Sequence, residues 1–190
     1  MTTPKVSVLL SSFNHAPYLR EAIDSVLNQT FTDFELIILD DASKDESWDI
    51  IQSYDDPRMR AVRNEVQTGP VLSARHAITQ LARGEYIAII DDDERINEQF
   101  ISSYVALFDA YPDAASAGGP IIPEYPAGCP AWMSSYTERP IANPIDLGRK
   151  IRPFPKGRIP GGGNMALRRS TVQRYGAFDP SLGRTGEQLI

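Results

Sequence analysis

Three consecutive aspartates, Asp91, Asp92 and Asp93, follow the apolar run Tyr86-Ile87-Ala88-Ile89-Ile90, with Glu94 directly behind them. Carboxylates crowded at one point raise one another's pKa unless a cation or solvent intervenes. At the end of a buried strand such a cluster suits a hard divalent cation, and through it the oxygens of a phosphorylated ligand. The plain alternative is a solvated turn capping the next helix. Two further polar clusters share the setting: Ser11 to Asn14 after Val6-Ser7-Val8-Leu9-Leu10, and Asp40-Asp41 after Phe34 to Leu39. Ligands of open α/β sheets bind outside the carboxyl ends of the strands, so clusters placed there can share one site.

The elements that must position them follow from patterning. Residues 5–12, 34–39 and 86–90 are short and apolar, which predicts buried strands. Pro17 suits a first helical turn, and Leu19, Ala22, Ile23, Val26 and Leu27 then recur on one helical face. Ser43 and Glu46 have the spacing of a capping box for a helix turning Trp48, Ile51 and Tyr54 inward. Met59 to Arg63 is a short strand. Gly69-Pro70 precedes a helix carrying Val71, Ala74, Ile78 and Leu81, with Gly84 as its end. A helix over 97–110 and a strand within 114–122 complete this part. Strand and helix alternate over about 110 residues, the pattern of a mostly parallel sheet with helices on both faces. From Pro120 to Pro160 prolines punctuate the chain repeatedly, which predicts a long irregular segment with a functional role. Gly161-Gly162-Gly163-Asn164 then leads into Met165-Ala166-Leu167, and a short helix lies near residues 171–175.

Composition narrows the class. The chain has 190 residues, 42% hydrophobic, with a net charge of -6. That is enough for one sizeable domain, and the charge argues against general nucleic-acid binding. Cys129 is the single cysteine, so neither an intrachain disulfide nor a cysteine metal cluster is available. No apolar stretch is long enough to span a bilayer, and the opening residues read as a strand rather than a signal peptide. The closing Leu189-Ile190 reads as the start of something that continues, so a truncated chain is expected. Ser11-Ser12-Phe13-Asn14 after the first strand carries no glycine-rich dinucleotide fingerprint, and there is no phosphate-cradling P-loop. A receiver-type site lacks its late lysine.

The run Val6 to Asn14, Ser25-Val26-Leu27-Asn28-Gln29-Thr30, Phe34 to Ser43, Ala74-Arg75, Gly84-Glu85-Tyr86-Ile87, Asp91-Asp92-Asp93, Gly163 to Arg169 and Gly176-Ala177-Phe178-Asp179 together resemble a family 2 glycosyltransferase. The resemblance spans nearly the whole chain in the family's order. It implies an α/β GT-A fold in a single domain over 1–190, with a nucleotide-binding half over 1–119 and an acceptor-side part over 120–190. It implies transfer of a sugar from a nucleotide-diphosphate sugar, a UDP-sugar first among them, to a glycan, lipid or other acceptor with inversion. Manganese or magnesium is the implied cofactor. The implied place is the cytoplasm, with contact at the inner face of the membrane. A donor-binding module without catalysis is the alternative, and a nucleotidyltransferase ranks below both.

Residue by residue, the resemblance places Ser11 and Phe13 at the base pocket, Asp41 on the base and Arg75 near the phosphates. His76-Ala77 departs from the asparagine–glycine more usual after that arginine. The three aspartates match the DxD motif. Asp93 is the principal metal ligand and Asp91 a second contact to metal or ribose, with Asp92 able to stand in for either. Gly162, Gly163 and Asn164 fall where the family shapes the donor-sugar and acceptor pocket, and Trp132 can stack on a sugar face. The general base is Glu187, in Gly186-Glu187-Gln188, or else an acidic residue beyond Ile190; the second alignment is the favoured one.

Overall fold

In a computed structural model, which describes residues 3–142, 146–179 and 181, the apolar runs form the centre of one sheet. Its strands are β1 (Val6–Ser12), β2 (Phe34–Asp40), β3 (Met59–Arg63), β4 (Tyr86–Asp91), β5 (Ser116–Gly118) and β6 (Met165–Arg168), in the spatial order β3-β2-β1-β4-β6-β5. The first four are mutually parallel, and β6 runs antiparallel to both β4 and β5. The sheet is thus mostly parallel, as the patterning predicts.

Side chains alternate across a strand, so each central strand feeds two cores. Val8, Leu10, Leu36, Ile38, Ala88 and Ile90 pack with Leu19, Ile23 and Val26 of α1 (Ala16–Leu27), Ile51 of α2 (Ser47–Gln52) and Ile101, Tyr104 and Phe108 of α4 (Phe100–Ala110). Leu9, Ile37, Ile87 and Ile89 pack on the other face with Ala77, Ile78, Met165 and Val172. α3 (Pro70–His76) passes directly into a π-helical turn, Ala77–Leu81, and Val172 belongs to α6 (Arg169–Tyr175).

Several local expectations change. Ser43 and Glu46 form no capping box. The Ser43 hydroxyl accepts the Asn14 N–H at 3.0 Å, and α2 begins at Ser47, whose N–H goes to Asp45 at 3.1 Å. The strand within 114–122 is only Ser116–Gly118. The irregular segment holds a short helix, α5 (Ser135–Ala142), and the helix after the aspartates starts at Phe100 rather than 97.

Gly84 does not end a helix, since the π-turn stops at Leu81; it permits close approach of β4 to β1. A Cβ there would lie 2.5 Å from the Ser7 nitrogen and 2.7 Å from the Val6 carbonyl carbon. Beside it a buried polar knot closes the far end of the sheet. The Ser7 hydroxyl donates to Glu35 at 2.7 Å, and the Arg83 guanidinium bonds Glu35 twice, at 3.0 and 2.7 Å. Because the contacts at Gly84 are with backbone, Gly84→Ala is expected to cost about 1–3 kcal/mol. A lower urea midpoint at unchanged slope checks this.

Candidate functional site

The register of β1 decides where the polar clusters meet. Ser11 pairs with Asp91 on one side and Leu39 on the other, and Ser12 pairs with Asp40. Ser11 to Asn14, Asp40-Asp41 and Asp91 to Asp93 therefore sit on one rim. Side-chain bonds knit the loops together. Asn14 also accepts the Lys44 N–H at 2.7 Å, and Asp45 accepts the Ala16 N–H at 3.0 Å. Asn14 and Ala42 hold positive φ angles of 55° and 64°, local strain that clusters at functional sites.

Asp41 is almost fully buried and faces the segment after β3. Its oxygens accept from the Asn64 amide at 2.7 Å, the Thr68 hydroxyl at 2.9 Å, the Thr68 N–H at 2.9 and 3.1 Å and the Gly69 N–H at 2.7 Å. Burial alone would raise its pKa, but these bonds hold the carboxyl below its ordinary value. Four donors meet about the full capacity of a carboxylate. A base N–H reaching Asp41 must displace one. The Thr68 hydroxyl has a second neighbour, the Ser73 hydroxyl at 3.1 Å, and is the donor most readily released.

Within the aspartate triplet the three carboxylates differ. Asp92 is buried, and both its oxygens are engaged inside the protein: one accepts the Phe13 N–H at 3.1 Å, the other meets His15 Nδ1 at 2.6 Å. His15, half-exposed, has its pKa lowered by burial but raised further by Asp92 and the nearby Asp93 and Asp45, for a net upward shift. Asp91 and Asp93 remain exposed, and neither side chain has a hydrogen-bond or ion-pair partner among the described residues. Loss of hydration and the charges of Asp93 and Asp92 push Asp91 up to about 6.

Glu94, the fourth carboxylate of the run, joins this rim, although the family resemblance assigns it no role. Burial and the charge of Asp91 push it up to about 7. It packs against the Gly162–Asn164 turn so closely that a Cβ on Gly163 would fall 2.0 Å from its Oε1. Asn164 is fixed by the Tyr104 hydroxyl and by its own amide on the Pro120 carbonyl at 2.8 Å. The structure thus brings Gly162, Gly163 and Asn164 to the aspartates. Arg75, half-buried, donates to the Phe178 carbonyl at 2.5 Å. Trp132 is 65% exposed in the irregular segment. Glu187 lies outside the described residues.

Residues 7–176 match the family described as Glycosyl transferase family 2. The chain belongs to that family. It is 24% identical, over 98% of its own length, to the glucosyl-dolichyl phosphate glucuronosyltransferase of Haloferax volcanii, and covers 59% of that protein. Staphylococcus aureus TarS 1–349 in complex with UDP-GlcNAc superposes with a TM-score of 0.59 at 25% identity, over 66% of this chain and 37% of that one. The mannosyltransferase PcManGT of Pyrobaculum calidifontis, in complex with GDP-Man and Mn2+, shares the fold with a TM-score of 0.69 at 20% identity, over 96% and 49% of the two chains. The family and this structural likeness establish the GT-A fold.

Among the described residues no three His, Cys, Asp or Glu side chains form a closed metal cage. The donor set nonetheless fits manganese or magnesium. Two carboxylates free of internal partners, held beside each other against their mutual repulsion, are what such a cation uses when substrate phosphates complete its shell.

Two consequences are measurable. Asp41→Asn removes a charged acceptor from the 64–69 segment and is expected to cost about 1.5–3 kcal/mol at neutral pH. Asp41 and Glu35 are both held below their ordinary values of 3.8 and 4.5. The stability they contribute is fully present above that range and is lost as pH falls below it. The cost of Asp41→Asn should therefore shrink in urea titrations taken progressively below pH 3.8, the ordinary value of the group. Separately, His15→Phe should weaken Mn2+ binding severalfold while His15→Asn, which can still meet Asp92, should not. Paramagnetic titration of bound manganese reads this directly.

Proposed function

We propose that this chain carries out metal-dependent glycosyl transfer from a nucleotide-diphosphate sugar, a UDP-sugar first among them, to a sugar or lipid-linked acceptor. The observation that carries this reading is the unequal use of the triplet. Asp92 is tied back to the loop that follows β1, which leaves Asp91 and Asp93 together at the rim. Asp41 and the segment it orders lie on the same rim, two strands away.

In this reading Ser11 and Phe13 line the base pocket, and Asp41 either meets the base directly or shapes the 64–69 segment beside it. Arg75 lies two residues before a π-helical turn, a feature frequent at functional sites, and would turn from the Phe178 carbonyl to the phosphates. Asp93 and Asp91 hold the divalent cation, which when bound would neutralise the leaving diphosphate. Gly162, Gly163 and Asn164 admit the donor sugar and acceptor, with Glu94 behind the turn keeping Gly163 in place. Inversion needs a general base for the acceptor hydroxyl. Glu187 or a later acidic residue takes that role. The UDP-GlcNAc bound by TarS and the Mn2+ bound by PcManGT support the donor class and the metal. A relative named for a dolichyl phosphate substrate supports a lipid-linked acceptor.

Manganese with UDP or a UDP-sugar should raise the melting temperature of the wild-type chain. At ligand about a hundredfold over Kd the gain approaches 2.7 kcal/mol. Asp93→Ala should abolish the metal-dependent part while leaving the unliganded melting temperature within a few degrees. If no nucleotide diphosphate shifts the curve with either metal, the reading fails.

A further inference from the structure

The 149–158 stretch departs from the rest of this acidic chain. Arg149, Lys150, Arg152, Lys156 and Arg158 place five cations in ten residues, with no Asp or Glu among them. All five are exposed, and among the described residues none takes part in an ion pair. Elsewhere Lys5, Arg58, Arg60, Arg63, Arg83, Arg95 and Arg168 have carboxylate partners. The other cations without one among the described residues, Arg20, Lys44, Arg75, Arg169 and Arg174, are scattered along the chain, so it is the density of unpaired cations that sets this stretch apart. Apolar side chains are interleaved with the cations: Ile151 is 62% exposed, Ile159 is 74% exposed, and Phe154 lies half-buried between them. Pro153 and Pro155 remove backbone donors and keep the stretch from joining a helix or sheet.

We infer that this stretch docks the protein on an anionic lipid surface. Unpaired cations beside exposed isoleucines suit a bilayer interface, where headgroup charge attracts the former and the acyl boundary takes the latter. A soluble polyanion such as a nucleic acid or acidic polymer would use the charges but leave the isoleucines in water. Net negative charge over the remaining chain repels such a surface, so approach is restricted to this side. The docked stretch ends close to the candidate site. Pro160 is buried against Gly118, where a Cβ would lie 2.5 Å from the proline Cβ, and four residues later Asn164 closes the site turn. Resting here on the proposed function, the contact would bring the acceptor side of the rim to the surface that holds a lipid-linked acceptor.

Vesicle co-sedimentation of the full chain tests this, with neutral phosphatidylcholine vesicles compared with vesicles containing about 30% phosphatidylglycerol. The chain is expected to bind only the anionic vesicles and to release in high salt. Each Lys or Arg changed to Gln should weaken binding about fivefold. Ile151→Ser with Ile159→Ser should weaken it several-fold more at unchanged charge. Equal binding by a variant with all five cations changed to Gln, or equal binding to neutral vesicles, overturns the inference. Binding to polyphosphate as tight as to vesicles, with the serine variants unaffected, overturns it in favour of a soluble polyanion. The manganese–UDP melting shift should be the same in every variant, so failure of membrane docking and failure of the donor reading remain distinguishable.

Discussion

Parallel pairing of β1 with both β2 and β4 is the constraint on which the rest depends. A one-residue slip in either ladder would turn each apolar side chain to the opposite core, so the register is strongly specified. The same register sets Ser11 beside Asp91 and Ser12 beside Asp40. Binding geometry on the rim is therefore a consequence of core packing several residues below it. The loops do not have to find one another. They are delivered within bonding distance by strands whose positions are already settled, and short polar side chains such as Asn14 and Ser43 complete the joint.

Charge then decides what the rim can do. A rim with four carboxylates in sequence would resist folding if all were left ionised and unpaired. The chain relieves this selectively. Asp92 is matched to a backbone donor and a histidine, and Glu94 is pressed against a glycine turn with its carboxyl shifted toward neutrality. Asp91 and Asp93 are the two whose side chains have no partner among the described residues, and the crowding shows in Asp91, which is pushed up to about 6. Asp41 shows the opposite arrangement two strands away, just past β2, where a carboxylate surrounded by donors organises a loop.

The alternation of strand and helix was legible because apolar periodicity is a local property. The aspartate rim was legible for the same reason: a buried run ending in charges reads the same way in sequence and in space. What could not be read is who pairs with whom. Ser43 and Glu46 satisfy the spacing of a capping box, but Ser43 is claimed by Asn14 from a loop 29 residues away. Gly84 has the look of a helix end, yet its requirement comes from the backbone at Val6 and Ser7. His15 carries no signal of its own next to Asp92, 77 residues distant. Local rules fail wherever a side chain has a better partner far along the chain.

The direction of β6 explains how a second set of residues reaches the rim. β4 runs toward the rim and ends there at Asp91. A strand antiparallel to it must start at the rim and leave, and Met165 pairs with Ile89 accordingly. Whatever precedes such a strand is forced to lie beside the aspartates, which is where the glycine turn and Asn164 are found. Had β6 been parallel, the same turn would sit at the far end, near Arg83 and Glu35. The single reversal in an otherwise parallel sheet allows a segment distant in sequence to meet the aspartates, and it demands a residue without a side chain at the closest point, opposite Glu94.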